Sequence, residues 1–233
     1  MCSRAPDNSN RSDLGVFDPG ADYAVIERQL PHWTQPGVIA FITWRTNDSI
    51  PADVLKRWRA ERHEWLYRHG IDGDASDWRD RLRILSKAIQ SEYERAFADR
   101  WHDLLDAGHG ACVLRRPEIG KIVSDSLHHF DGDRYDLTDF VVMPNHVHVL
   151  AAFRHAEGMM EQCESWKHFQ STQINRSVGA KGRFWQRESF DHLVRSVEQF
   201  EHLRRYIAQN GPSARLPKSD YIHYSKPLHG SSN

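Results

Sequence analysis

Apolar residues in this chain change their spacing several times, and each change marks an element. The run Val38-Ile39-Ala40-Phe41-Ile42-Thr43-Trp44 is rich in β-formers and lies between Gly37 and the polar Arg45-Thr46-Asn47-Asp48, which predicts a strand, the first of a sheet. Val54, Trp58, Trp65 and Leu66 then give partial helical spacing over residues 52–69, closed by Gly70 and an Asp/Gly-rich loop. Trp78, Leu82, Leu85, Ile89, Tyr93 and Phe97 recur with helical period, so a longer helix is predicted over 77–105. The Arg, Glu and Asp residues between them read as a solvated face.

Pro117 suits the first turn of another helix, reaching about Phe130 with Ile119, Ile122, Val123 and Leu127 inward. Asp131-Gly132-Asp133 ends it. Residues 135–143 and 146–153 read as extended runs separated by Pro144-Asn145, and such runs can pair as antiparallel neighbours. A helix over 163–177 and a basic connection over 179–187 follow. Ser196 and Gln199 match a capping box for a helix over 197–210, which Gly211-Pro212 is expected to stop. The resulting organisation is a mobile leader over 1–30, a main domain over 31–216 with a helical insertion over about 52–105, and a surface tail over 217–233.

Composition adds limits to this pattern. A chain of 233 residues with 39% apolar content holds one sizeable core. Its longest apolar run, near 147–153, is too short to span a bilayer, and no charged-then-apolar leader opens the sequence, so a cytoplasmic protein is expected. Cys2, Cys112 and Cys163 form no C-x-x-C pair and read as reduced thiols. The formal charge of −1 argues against broad affinity for phosphate backbones but is compatible with a local basic patch.

His146-Val147-His148 is the first concentrated chemical signal. In a strand the period of two puts both imidazoles on one face, and neutral imidazole is a good ligand for a divalent ion. In a chain with 15 histidines the pair also fits ordinary hydrogen-bonded residues. No Asp-His pair of the metallo-β-lactamase kind follows, and Leu150 stands where a His-x-His-x-His hydrolase has its third histidine. The second signal is Tyr206 with Asn210, one turn apart and therefore neighbours on a helix whose apolar side is Phe200, Leu203 and Ile207. Taken alone, Tyr206 also fits a packed aromatic with a wet hydroxyl, and Asn210 a helix-end residue.

Several ordered blocks together carry a further reading: Val142-Met143-Pro144-Asn145-His146-Val147-His148-Val149-Leu150, Ser165-Trp166-Lys167-His168-Phe169, Gln173-Ile174-Asn175-Arg176, the run from Gly182-Arg183-Phe184-Trp185 to Asp191-His192, and Tyr206-Ile207-Ala208-Gln209-Asn210. Over roughly residues 31–216 these blocks resemble the IS200-like transposases of the Y1, HUH type, and especially the REP-associated tyrosine transposases. The resemblance implies an α+β fold, a ferredoxin-like or RRM-like antiparallel sheet with helices packed on one face and a helical insertion after the first strand. It further implies that His146 and His148 are metal ligands, that Asn210 completes or supports the metal site, and that Tyr206 is a single covalent nucleophile. Gly211 stands where relatives often have proline.

The implied reaction is cleavage and joining of single-stranded DNA at hairpin or palindromic repeat sequences through a 5′-phosphotyrosine, with Mg²⁺ or Mn²⁺ as cofactor. Single-stranded or hairpin DNA is the implied partner, and the protein is expected as a monomer or a homodimer. Lys167, Arg176, Lys181, Arg183 and Arg187 are candidates for phosphate contacts, and Trp185 for stacking on an unpaired base. Phe184 and Trp185 fit equally a role in burying their loop. Arg204 and Arg205 beside the nucleophile are placed to draw in a phosphate or to lie on a solvated helix face. Two other chemistries fit the same residues: a hairpin-binding protein of this fold without catalysis, and a metal-dependent phosphoesterase that activates water.

Overall fold

The computed structural model describes residues 15–27, 31–99, 109–155, 158–187 and 189–227. They fall into two units, Thr46–Val113 and the rest of the chain, Met1–Arg45 with Leu114–Asn233.

The smaller unit holds α1 (Ala52–Arg68), α2 (Trp78–Ile84), α3 (Lys87–Tyr93) and a π-helical turn over Glu94–Asp99. Its core is aromatic: Trp65, Leu66, Ile71 and Phe97 are buried, with Trp58, Trp78 and Tyr93 packed around them. The single helix expected over 77–105 is broken at Leu85, whose extended backbone (ψ 166°) leads into Ser86. Ser86 Oγ then accepts from Ile89 N and caps α3. Apolar spacing runs through the break undisturbed, which is why periodicity missed it. Residues 100–108, the end of that expected helix, lie outside the described residues.

In the larger unit, β1 (Ala24–Glu27) and β2 (Pro31–Thr34) pair antiparallel. The main sheet has the order β6-β3-β5-β4-β7, with β3 (Ile39–Arg45), β4 (Tyr135–Val142), β5 (His146–Phe153), β6 (Phe190–Leu193) and β7 (Ile222–Ser225), all adjacent pairs antiparallel. With α4 (Pro117–His128) before β4 and α5 (Gly158–Val178) between β5 and β6, the succession β-α-β-β-α-β is the ferredoxin-like arrangement, extended by β7. The fold is α+β, as the resemblance implied. Pro117 occupies the first turn of α4, where its missing N–H costs nothing.

Both faces of this sheet are covered. One carries the larger core, where Val147, Val149 and Ala151 of β5 meet Ile119, Val123 and Leu127 of α4 and Met159, Trp166 and Ile174 of α5. Trp44 stacks on Trp166 with ring centroids 5.7 Å apart. The other face belongs to α6 (Val197–Ser213), whose Phe200, Leu203 and Ile207 pack on Ile39, Phe41, Val141 and Leu150. The helices expected on one face are α4 and α5; α6 lies on the opposite one. No helix among the described residues is long and apolar enough to cross a membrane.

Three boundaries differ from expectation. Structure begins before Pro31: Gly15 bridges to Val38, and β1 pairs with β2, so part of the expected leader is held by backbone hydrogen bonds. The expected tail is tied down through β7, which pairs with β4. Gly211-Pro212 does not end α6, which continues to Ser213; a missing Pro N–H is tolerable because Ala214 N and Leu216 N still reach the carbonyls of Asn210 and Gly211. Gly211 instead answers to packing. A Cβ there would stand 2.4 Å from the Tyr221 ring, so only glycine lets the segment before β7 lie against the helix.

We therefore expect Gly211→Ala to destabilise the protein by about 1–3 kcal/mol, the usual cost of overpacking, in urea unfolding. In a Tyr221→Ala background the same change should cost little. An equal loss in both backgrounds would show that the ring contact is not the cause.

Candidate functional site

The β4–β5 hairpin closes through Pro144-Asn145, with Met143 N donating to His146 O at 2.8 Å. That turn fixes the register in which His146 lies opposite Arg45 and His148 lies opposite Thr43. Residues 146, 148, 150 and 152 then share the face under α6, while Val147 and Val149 enter the larger core. Both histidines are only 2% exposed, and their ring centroids are 4.8 Å apart.

Each imidazole is held at Nδ1. His146 Nδ1 lies 2.8 Å from Asn145 Oδ1, and His148 Nδ1 lies 2.7 Å from Thr43 Oγ1. An amide oxygen only accepts, so His146 donates from Nδ1 and keeps its lone pair on Nε2. The threonine hydroxyl can accept in the same way, which opens the same tautomer to His148. Phe41 stacks on His148 at 5.3 Å and supports its plane from the strand side.

α6 delivers the remaining groups. Tyr206 Oη lies 3.5 Å from His148 Nε2, with the two rings edge to face at 5.2 Å. Asn210, one turn on, is buried and brings its amide beside His146. Nε2 of His146 is buried and has no partner of hydrogen-bond geometry; the Asn210 amide favours its protonated form only weakly. Burial first, and the nearby Arg45 guanidinium second, hold the His146 pKa well below the usual histidine range. His146 is therefore neutral near neutral pH, the form that binds a metal ion. Among the described residues no three His, Cys, Asp or Glu side chains gather into a metal cluster. The donor set on offer is two imidazoles and one amide, and the buried, unpartnered Nε2 fits it.

The other candidates separate into groups. Lys167, Arg183, Trp185 and Arg187 line one open cleft, whereas Arg176 and Lys181 are exposed and lie outside its lining. Trp185 is only 2% exposed and packs edge-on against Trp44, so it anchors its loop and offers no platform for a base. Arg204 is engaged too: its Nε donates to both oxygens of Asp139, at 3.1 and 3.0 Å, and Nη2 donates to Ser225 Oγ and Lys226 O. That guanidinium ties α6 to β4 and β7 and is not available to draw in a phosphate. Arg205 remains exposed beside Tyr206. Asp191 pairs with the buried His32, and His192 packs on Phe41. The positioning groups Thr43 and Arg45 emerge only from the strand register, which a linear pattern does not encode.

The buried His146 has a consequence for pH. Its folded pKa is depressed, so below about pH 6.5, the ordinary histidine value, the unfolded state takes up the proton first. Metal-free protein should lose stability progressively as pH falls from 7.5 to 5.5, and His146→Asn should flatten that dependence. Parallel urea midpoints in the two proteins across this range would refute the assignment.

Residues 116–210 match the family model described as "Transposase IS200 like". A solved structure described as the REP-associated tyrosine transposase bound to a REP hairpin is similar at 12% identity and a TM-score of 0.41, covering 88% of this chain and 96% of that one. No curated protein matches the chain. The segment that holds both histidines, Tyr206 and Asn210 is thus the one that matches, and over it the chain is similar to the IS200-like transposases.

Proposed function

We propose that this protein cuts and rejoins single-stranded DNA at hairpin or palindromic repeats, with Tyr206 as covalent nucleophile and a divalent ion, Mg²⁺ or Mn²⁺, held by His146, His148 and Asn210. The observation that carries this reading is the approach of Tyr206 Oη to within 3.5 Å of His148 Nε2, on the face of β5 that also presents His146. A nucleophile and a Lewis-acid site that close can share one phosphate group.

The bound ion would polarise a non-bridging phosphate oxygen and stabilise the charge that develops there. Tyr206 Oη forms a bond to phosphorus as the bond to the 3′-oxygen breaks, leaving a 5′-phosphotyrosine; the proton lost by the phenol is balanced by the one gained at the 3′-hydroxyl. Attack by a 3′-hydroxyl on the same phosphorus reverses these changes and rejoins the strand. Tyrosine is a weak nucleophile at its ordinary pKa near 10, so alignment carries much of the work. The docking of α6 and the edge-to-face contact with His148 supply it. Because imidazole and amide donors are uncharged, they leave the ion's positive charge for the phosphate.

Incubation of a labelled hairpin oligonucleotide with protein and Mg²⁺ or Mn²⁺ should give a covalent protein–DNA adduct. Tyr206→Phe should abolish it while DNA binding persists. Adduct at the parental level in that variant would reject Tyr206, and turnover without any adduct would favour attack by water.

Thr43 and Asn145 should act on the ion through the histidines they hold. Thr43→Val or Asn145→Ala is expected to weaken metal affinity about 10–100-fold, the usual loss when a ligand histidine's partner is removed, as read by calorimetric Mn²⁺ titration. Unchanged affinity in both would show that the Nδ1 contacts do not orient the ligands.

A further inference from the structure

On the α5 side of the sheet lies an open groove of about 380 Å³ between the second half of α5 and the loop over 182–187. Its size is that of a small-ligand cleft, and none of its lining residues is acidic. Lys167, Ser171 and Asn175 line it from one stripe of α5 at helical spacing, with Thr172 beside them; the adjoining stripe, Cys163, Trp166 and Ile174, is core. Arg183 and Arg187 line it from the loop, both exposed. A chain of formal charge −1 thus gathers three cationic side chains, two hydroxyls, two amides and an imidazole around one cleft.

The cleft is built to stay open. Asn175 Nδ2 donates to Gly182 O at 2.8 Å at one end of the loop, Lys167 Nζ donates to Arg187 O at 2.5 Å at the other, and Trp185 is buried between them. Gly182 (φ +94°) supplies the left-handed bend that the first of these contacts needs. With the loop pinned at three points, little ordering remains to be done on binding. The groove also connects to the histidines. Gln186 N donates to Arg45 O at 2.9 Å, and Arg45 is the register partner of His146, so the Arg187 end of the groove meets the end of the sheet that carries His146.

We infer that this groove binds the sugar–phosphate backbone of a single-stranded segment running on from the phosphate at Tyr206, around the end of the sheet to the α5 side. The inference rests on the DNA-cleaving reading above and adds the path of the strand. Cations, hydroxyls and amides without a carboxylate suit phosphate and sugar oxygens, and with Trp185 buried the groove offers no indole face to a base, the exposed ring in its lining being the His168 imidazole. Contacts there hold the strand without reading its sequence.

The test uses the full chain carrying Tyr206→Phe, so that probes stay intact, and fluorescence anisotropy with three oligonucleotides: a blunt hairpin, and the same hairpin extended by single-stranded DNA on its 5′ or on its 3′ side. Adding Arg183→Gln with Arg187→Gln should weaken binding of one extended probe at least about tenfold and lower its salt dependence by about 1.4, as expected for two single-strand phosphate contacts. Binding of the blunt hairpin should stay essentially unchanged. Thr172→Glu, which places a carboxylate in the groove while leaving both arginines, should reproduce the selective loss. Unchanged binding of both extended probes, or an equal loss on the blunt hairpin, would overturn the inference. Failure of the Tyr206→Phe parent to bind any probe would instead overturn the DNA-cleaving reading itself.

Discussion

The central strand is sealed on both sides, and most of the molecule's architecture answers to that constraint. All eight positions of β5 are buried. Antiparallel sheets commonly leave one face to water, and here α4 and α5 close one face while α6 closes the other. A strand so enclosed should be apolar throughout, yet its second face opens with two imidazoles. Buried polar groups require partners, and Thr43 and Asn145 provide them at Nδ1. What is left pointing into the site is the unprotonated edge of His146, in a place too dry for a charged ring.

Sealing the second face depends on how α6 is moored. The β4 register shifts between Leu137 and Asp139, and that irregularity turns Asp139 toward the helix while Phe140 still enters the larger core. Asp139 is 1% exposed, a position at which an unpaired carboxylate would be costly. Arg204 and Ser225 satisfy it together. One buried carboxylate thus joins the sheet, the tyrosine's helix and the last strand, with Tyr206 two residues beyond the arginine that makes the link.

Much of this was legible along the chain, and the losses have common causes. Strand β5, the Pro117 start of α4 and the Ser196 cap of α6 follow from local periodicity and capping chemistry, which act within a few residues. The strands β6 and β7 escaped notice because each has four residues and lies at an edge, where burial is partial and alternation faint. The histidine pair and the Tyr206/Asn210 pair were visible as spacings. Their meeting was not, since it depends on α6 crossing the second face. Trp185 misled for a related reason: an aromatic among arginines reads as a stacking platform until Trp44, far away in sequence, is found lying against it. Arg204 likewise looked like a free cation because Asp139 is 65 residues away.

The mooring of α6 by β7 also orders events in time. Ribosomes deliver the chain from its N-terminal end, and β3, β5 and both histidines are made well before Ser225. The sheet can pair its central strands and set the two imidazoles in register while the helix bearing the tyrosine still lacks its last tether. Tyr206 and the two imidazoles gain the last tether of their alignment only with β7, so a half-made polypeptide holds these side chains without the full set of contacts that fixes their spacing in the finished fold.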